Sequence, residues 1–267
     1  MYKAAIYVND YLILLELISK IEAEMPNVEY TVFGGKSFEE SLKDTAEGYV
    51  LTDLSLIDDY EVLIMLSKPQ EENEHIKEFD GTVIDISDYE FSSNTEVFKV
   101  VEPVRKILRN IAAPVEDTSV VLDLPVCIYG KDGVEDLMNQ TKGIFTFDNI
   151  DSSIFRDRIA FNRHFNPVTA GLFIGKTVDD FASSGGDISI RLSPISTVFT
   201  LDVYAKDNFG LKDDTGYFVV EGFFTTSDVS ERDDIVVFPR RNGLTFAGDY
   251  VRILVNEVIT KMREVVG

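Results

Sequence analysis

Residues 125–162, PVCIYGKDGVEDLMNQTKGIFTFDNIDSSIFRDRIAFN, constrain the fold of this chain more than any other stretch. They read as a buried apolar strand (LPVCIY), a helix opened by Gly130-Lys131, and a loop that closes on Arg158-Ile159-Ala160-Phe161-Asn162. Around them the periodicity is strand-like: 120–129, 188–192, 197–204, 216–224 and 234–238 point to a mixed or antiparallel sheet.

The preceding third reads differently. Apolar runs at 3–8, 28–33, 61–66 and 81–86 alternate with helices, one after Asn9-Asp10 and a short one at 71–79, which predicts an open parallel α/β sheet. In the first helix Leu14, Leu15, Leu17, Ile18 and Ile21 follow the 3.6-residue period, and Asp10 is positioned to cap it. Residues 96–109 read as a helix with Pro103 a kink or boundary, and 243–265 as a long amphipathic helix. The expected fold class is α/β: a Rossmann-like parallel-sheet domain (1–95, completed by a helix over 243–267) and an α+β domain with a mixed sheet (96–242).

Charge narrows the partners. The 267 residues carry 25 basic against 47 acidic side chains, a net −22, which repels nucleic acid and anionic membranes. No run of 18 apolar residues occurs, and MYKAAIYVND has no signal-peptide core, so a cytoplasmic protein is expected. One cysteine, Cys127, and two distant histidines supply neither a disulfide framework nor a zinc site. Cys127, inside an apolar run, reads as a small hydrophobe.

Specific residues resemble the aspartate-semialdehyde dehydrogenase family. Gly130, Lys131, Val134, Leu137, Gln140, Thr141, Phe155, Ile159, Ala160, Phe161 and Asn162 fall on the S-G-x-G-K-x-x-V-x-E-L, Q-T and F-P-x-x-I-A-F-N run that opens its dimerisation domain. Asp53-Leu54-Ser55 and Val83-Ile84-Asp85-x-Ser87 match its nucleotide domain; Gly243, Leu244, Asp249, Arg252 and Asn256 match its closing helix, which packs back on that domain. The resemblance covers nearly the whole chain and implies a homodimer, or a heterodimer with a catalytic paralogue. It also implies NADP as cofactor and a link to lysine, threonine and methionine synthesis.

The residues that would carry the reaction depart from the family pattern. On the three glycine positions of the G-x-x-G-x-x-G nucleotide loop stand Val8, Tyr11 and Leu14, and Asp10 puts a carboxylate where a phosphate would lie, so no cofactor is expected. Gly34-Gly35-Lys36-Ser37 lacks the upstream glycine of a phosphate loop; Lys36 and Ser37 could meet a 2′-phosphate or form a solvated turn. The nucleophile, a cysteine in an N-C-[ST]-T segment opening a helix, falls near Ser93 or Asn94 of Ser92-Ser93-Asn94-Thr95, where neither residue is a thiol. The alternative for this segment is a helix N-cap.

The histidine of the P-V-x-x-G-H-S strand is missing from LSPISTVFTLDV, which offers Pro194 and Ser196 or Thr197; His75 and His164 lie elsewhere. No arginine occupies TVDDFASSGGD, and Arg163, Arg191 and the Arg240-Arg241 pair are weak substitutes. The expectation is a scaffold or regulatory relative without catalysis. The alternatives are a weak or retargeted NAD(P)-dependent semialdehyde dehydrogenase and a small-molecule sensor using the vacated cleft.

Overall fold

Strand–helix alternation builds a six-stranded, all-parallel sheet of order β3-β2-β1-β4-β5-β6. The computed structural model describes residues 2–9, 11–35, 38, 50–148, 152–155, 157–169, 172–206 and 210–267. The strands are β1 (Tyr2–Tyr7), β2 (Val28–Phe33), β3 (Val50–Leu51), β4 (Val62–Met65), β5 (Thr82–Asp85) and β6 (Glu96–Lys99), with α1 (Tyr11–Glu24) and α2 (Glu74–Lys77) between them. All four residues of β4 are buried, as expected of a strand covered on both faces. Phe33, Leu63, Met65, Ile76 and Phe79 form its core on one side.

The chain divides into two compact units, residues 1–101 with 254–267, and residues 102–253. The second unit holds α3 (Pro103–Asn110), β7 (Thr118–Leu124), α4 (Gly130–Thr146), β8 (His164–Phe165), α5 (Gly175–Ser183), β9 (Asp187–Leu192) and β10 (Val198–Ala205). It continues through β11 (Tyr217–Val219), α6 (Thr226–Ser230), β12 (Ile235–Arg240) and β13 (Gly243–Asp249). Its mixed sheet has the order β11-β12-β13-β10-β7-β9-β8. The final helix α7 (Tyr250–Val266) returns the chain to the first unit, where Val255, Val258, Ile259 and Met262 are buried and Arg263 Nη2 donates to Glu24 Oε2 at 2.5 Å.

Period-2 alternation gives the seven-stranded sheet one apolar and one mixed face. Val120, Leu122, Leu124, Phe199, Leu201, Val203 and Phe246 are buried on the first. The pairing register brings Ser119, Val121 and Asp123 of β7, Asp187, Ser189 and Arg191 of β9, and Thr200, Asp202 and Tyr204 of β10 together on the other. Along it, Ser119, Asp187, Ser189 and Tyr204 are exposed.

Four expectations about elements are corrected. Residues 96–99 are strand, paired with β5, and the helix begins only at Pro103, whose fixed φ and missing N–H suit the first turn. Residues 126–129, with Cys127, form a 3-10 turn after Pro125 rather than the end of a strand, held by Val126 N to Ile195 O and Cys127 N to Ser196 O, both 2.9 Å. The 243–265 helix begins at Tyr250: Gly243–Asp249 pairs with both β10 and β12, because its alternating side chains satisfy two neighbouring strands. Of the 216–224 strand only Tyr217–Val219 pairs.

Candidate functional site

Helix α4 organises residues 130–162. Gly130 opens the helix at φ 71, a left-handed value glycine takes without strain. A Cβ on Gly133 would sit 2.6 Å from Val126 O, so close approach of the turn requires glycine there too. Further along, the carboxylate of Asp136 is buried. Its Oδ2 accepts from the backbone N–H of Ser153 (3.2 Å), Ile154 (2.9 Å) and Phe155 (3.2 Å) and from Ser152 Oγ (3.0 Å), while Oδ1 accepts from Gln140 Nε2 (3.1 Å). Gln140 Oε1 in turn accepts from Ile159 N (2.8 Å) and Ala160 N (3.1 Å). Burial raises the Asp136 pKa, but the bonds from Ile154, Gln140, Phe155 and Ser152 outweigh it and hold the carboxyl below its usual range. These two side chains clamp the loop to the helix and have no chemistry to spare.

At the start of α3 stands Glu102, absent from the sequence-level candidates. Its Oε2 accepts from Val104 N and its Oε1 from Arg105 N, each at 2.8 Å, so it caps its own helix. Glu102 is 3% exposed. Burial pushes its pKa up to about 7, against the opposing pull of the Thr177 hydroxyl, the Val104 and Arg105 amides and the Arg105 charge. Arg105 reaches α5, donating from Nε to Thr177 Oγ1 and from Nη2 to Asp180 Oδ2, both 3.0 Å. Tyr250 is nine-tenths buried, its Oη has no hydrogen-bond partner among the described residues, and burial, with Glu102 and then Cys127 nearby, raises its pKa well above the usual value. Ser93 and Asn94 lie instead in an exposed turn ahead of β6, remote in sequence from any helix opening, and cap nothing. Pro103 was the available signal for the true helix start, with the acidic residue before it as cap.

The segment matching the family's base strand has a second structural use. Thr197 Oγ1 donates to Asp249 Oδ2 at 2.5 Å, Asp249 Oδ1 accepts from Arg252 N at 3.0 Å, and Thr197 O accepts from Tyr250 N at 2.9 Å. Thr197 thus braces the cap of α7, while Ser196 O holds the Cys127 amide. His164 sits on β8 with Nε2 3.2 Å from Arg158 O and its ring edge-on to Phe155. His75 is in the other unit, Nδ1 2.7 Å from Asp58 Oδ2, in a cleft of about 590 Å³ whose lining includes Glu74, Glu78 and Asp80. Such a wall repels phosphate. Arg163 pairs with Asp123 at 3.5 Å, Arg191 lies over Phe165 at 5.9 Å, and Arg240 Nε donates to Thr245 Oγ1 at 3.0 Å. The arginine beside Glu102 is Arg105, which is not one of the sequence candidates.

At the carboxyl edge of the parallel sheet, strand order reverses between β1 and its neighbours β2 and β4, the usual place for a nucleotide. Asn9 knots the three loops there: its N–H donates to Ser67 Oγ (3.0 Å), its Nδ2 to Lys68 O (3.1 Å), and its Oδ1 accepts from Gly35 N (3.3 Å). Val8 and Leu14, on two of the glycine positions, are buried in the core and do not project into a groove. Asp10, Lys36, Ser37 and the side chain of Tyr11 lie outside the described residues. Among the described residues no group of three or more His, Cys, Asp or Glu is arranged to hold a metal ion, and no helix is long and apolar enough to cross a membrane.

By sequence, no family model and no curated protein matches the chain. The chain resembles solved structures of aspartate-semialdehyde dehydrogenases. A probable one from Pseudomonas aeruginosa superposes with TM-score 0.69 at 15% identity, covering 97% of this chain and 98% of that one. Aspartate semialdehyde dehydrogenase II from Vibrio cholerae, in a complex with ASA, gives 0.72 at 14% over 100% and 98%. The Francisella tularensis enzyme gives 0.65 at 12% over 98% and 100%. The chain has the aspartate-semialdehyde dehydrogenase fold.

Proposed function

We propose that this chain uses the aspartate-semialdehyde dehydrogenase fold without its reaction, as a dimeric scaffold or as the regulatory partner of a catalytic subunit of the same fold. The observation that carries the reading is Glu102. The segment matched to the family's cysteine, Ser93-Asn94, opens no helix, and the next helix opens on a buried carboxyl that caps its own N–H groups. A carboxyl held in that way is neither free to attack an aldehyde nor able to form the thioester such chemistry needs. Thr197, bonded to Asp249, and Asn9, bonded across three loops, support the same reading for the base and the cofactor.

The expected result in calorimetry at low salt is no saturable NADPH binding tighter than about 1 mM. NADP-dependent turnover of aspartate semialdehyde with phosphate is expected to stay at the uncatalysed rate. Tight NADPH binding, or turnover, would restore the dehydrogenase reading.

For a dimer, the support is the uncovered sheet face and the aromatic patch that meets it at β8. Phe165 is opposite Arg191 in register, and near it in sequence Phe145 and Phe161 stack edge-on at 5.9 Å with both rings exposed. Phe147 and Phe161 take φ of 58 and 60, values uncommon for aromatic residues and associated with strained recognition sites. An exposed aromatic cluster of this kind marks an interaction surface.

Sedimentation at micromolar concentration is expected to give the mass of two chains, and the mass of one would refute the dimer. Phe161→Asn, which suits the left-handed backbone, should leave the fold intact and weaken association by about 30-fold.

A further inference from the structure

We propose that Glu102, with Arg105, Thr177 and Tyr250 around it, is a proton-operated latch that holds α3 against α5. The geometry is that of a carboxyl shared between elements rather than a surface cap. Glu102 binds the first two free amides of α3 and the hydroxyl of Thr177 on α5, and Arg105 ties the same hydroxyl and Asp180 to α3. From α7 the cluster receives Tyr250, whose Oη has no hydrogen-bond partner among the described residues, and the Cys127 thiol of the 126–129 turn is near enough to raise the Tyr250 pKa. Arg105 is therefore the one positive charge that these contacts set against the carboxyl, and Asp180 competes for it.

Burial of this carboxyl outweighs the amides, the Thr177 hydroxyl and the Arg105 charge, so it is held better neutral than charged. Its folded pKa of about 7 lies above the unfolded value of about 4.3. The docked helix therefore binds the proton more tightly than the undocked one. The latch is fully closed below the unfolded value and is lost progressively as pH rises to the folded one, beyond which the effect levels off. Across that window the opening constant rises about tenfold per pH unit. The carboxylates held below their usual range, Asp136 among them, act only under more acid conditions and in the opposite direction.

The test is hydrogen exchange of the α3 and α5 amides in the full chain, as protection factors between about pH 5 and pH 7. Wild type is expected to lose about 40-fold of protection over those two units. Glu102→Gln keeps an acceptor for the helix amides but cannot ionise, so its protection should stay level. The difference between the two proteins at α3 is the readout. A level wild-type profile, or a Glu102→Gln profile parallel to it, would overturn the latch. Should the variant fail to fold, the carboxyl carbon shift of Glu102 in wild type decides: a midpoint near 7 supports the proposal and one below about 5 refutes it.

Discussion

Replacing Asp136 by alanine is expected to destabilise the second unit by about 3–5 kcal/mol, read from the urea midpoint. The carboxylate accepts three consecutive backbone N–H groups, a serine hydroxyl and the Gln140 amide, and alanine leaves all five donors without it. Charge-assisted bonds contribute about 1.5–3 kcal/mol each, and water reaching the exposed Ser153 and Ile154 amides recovers part of the sum. Asp136→Asn keeps one acceptor oxygen and should cost about 1–2 kcal/mol. The same carboxyl makes the unit acid-sensitive. Its folded pKa is depressed, so its stabilisation is present above the unfolded value of about 3.9 and lost as pH falls through the folded one. An alanine variant as stable as wild type, with the same acid transition, would sink the idea that the loop is clamped from α4.

Asp249→Ala should cost about 2–3 kcal/mol and act on α7, the helix that leaves the second unit and ends in the first. Its carboxylate is buried and takes the Arg252 amide with one oxygen and the Thr197 hydroxyl with the other. An exposed N-cap is worth about 1 kcal/mol; the excess here comes from stranding the Thr197 hydroxyl in a half-buried site. Thr197→Val removes that hydroxyl together with its need for a partner, so the double variant should cost less than the sum of the two singles. Additive losses in the thermal midpoints would show that the two residues do not act as a pair.

Both residues belong to the stretches by which the family is recognised. Asp136, Gln140 and Asp249 hold loops and a helix end, and none of them needs a substrate to be required. Their contacts account for the fold and say nothing about the reaction. The parallel sheet was legible because β1, β4 and β5 are buried on both faces and read as short unbroken apolar runs. Helix α4 was legible through its glycines and spacing. β6 was not, since Glu96–Lys99 is an edge strand, partly exposed, whose helix-compatible residues run straight into Pro103. β13 was not, because its side chains suit either a strand or the start of the helix that follows, and only pairing with two neighbours decides between them.

The sequence by itself determined the class of fold, the two sheets, and the helix and loop of residues 130–162, because burial periodicity, prolines and glycines act locally. It also determined that the one cysteine falls in an apolar run and that residues 192–203 carry no histidine. Only the tertiary structure decided where Glu102 and Asn9 act. Glu102 lies outside the segment that the family motif singled out, and its partner Thr177 is more than seventy residues away. Asn9 gains its role from Gly35, Ser67 and Lys68, which meet it only when the strands are ordered side by side. Hydrogen bonds between distant segments leave no period in the sequence, so the fate of the site had to be read in three dimensions.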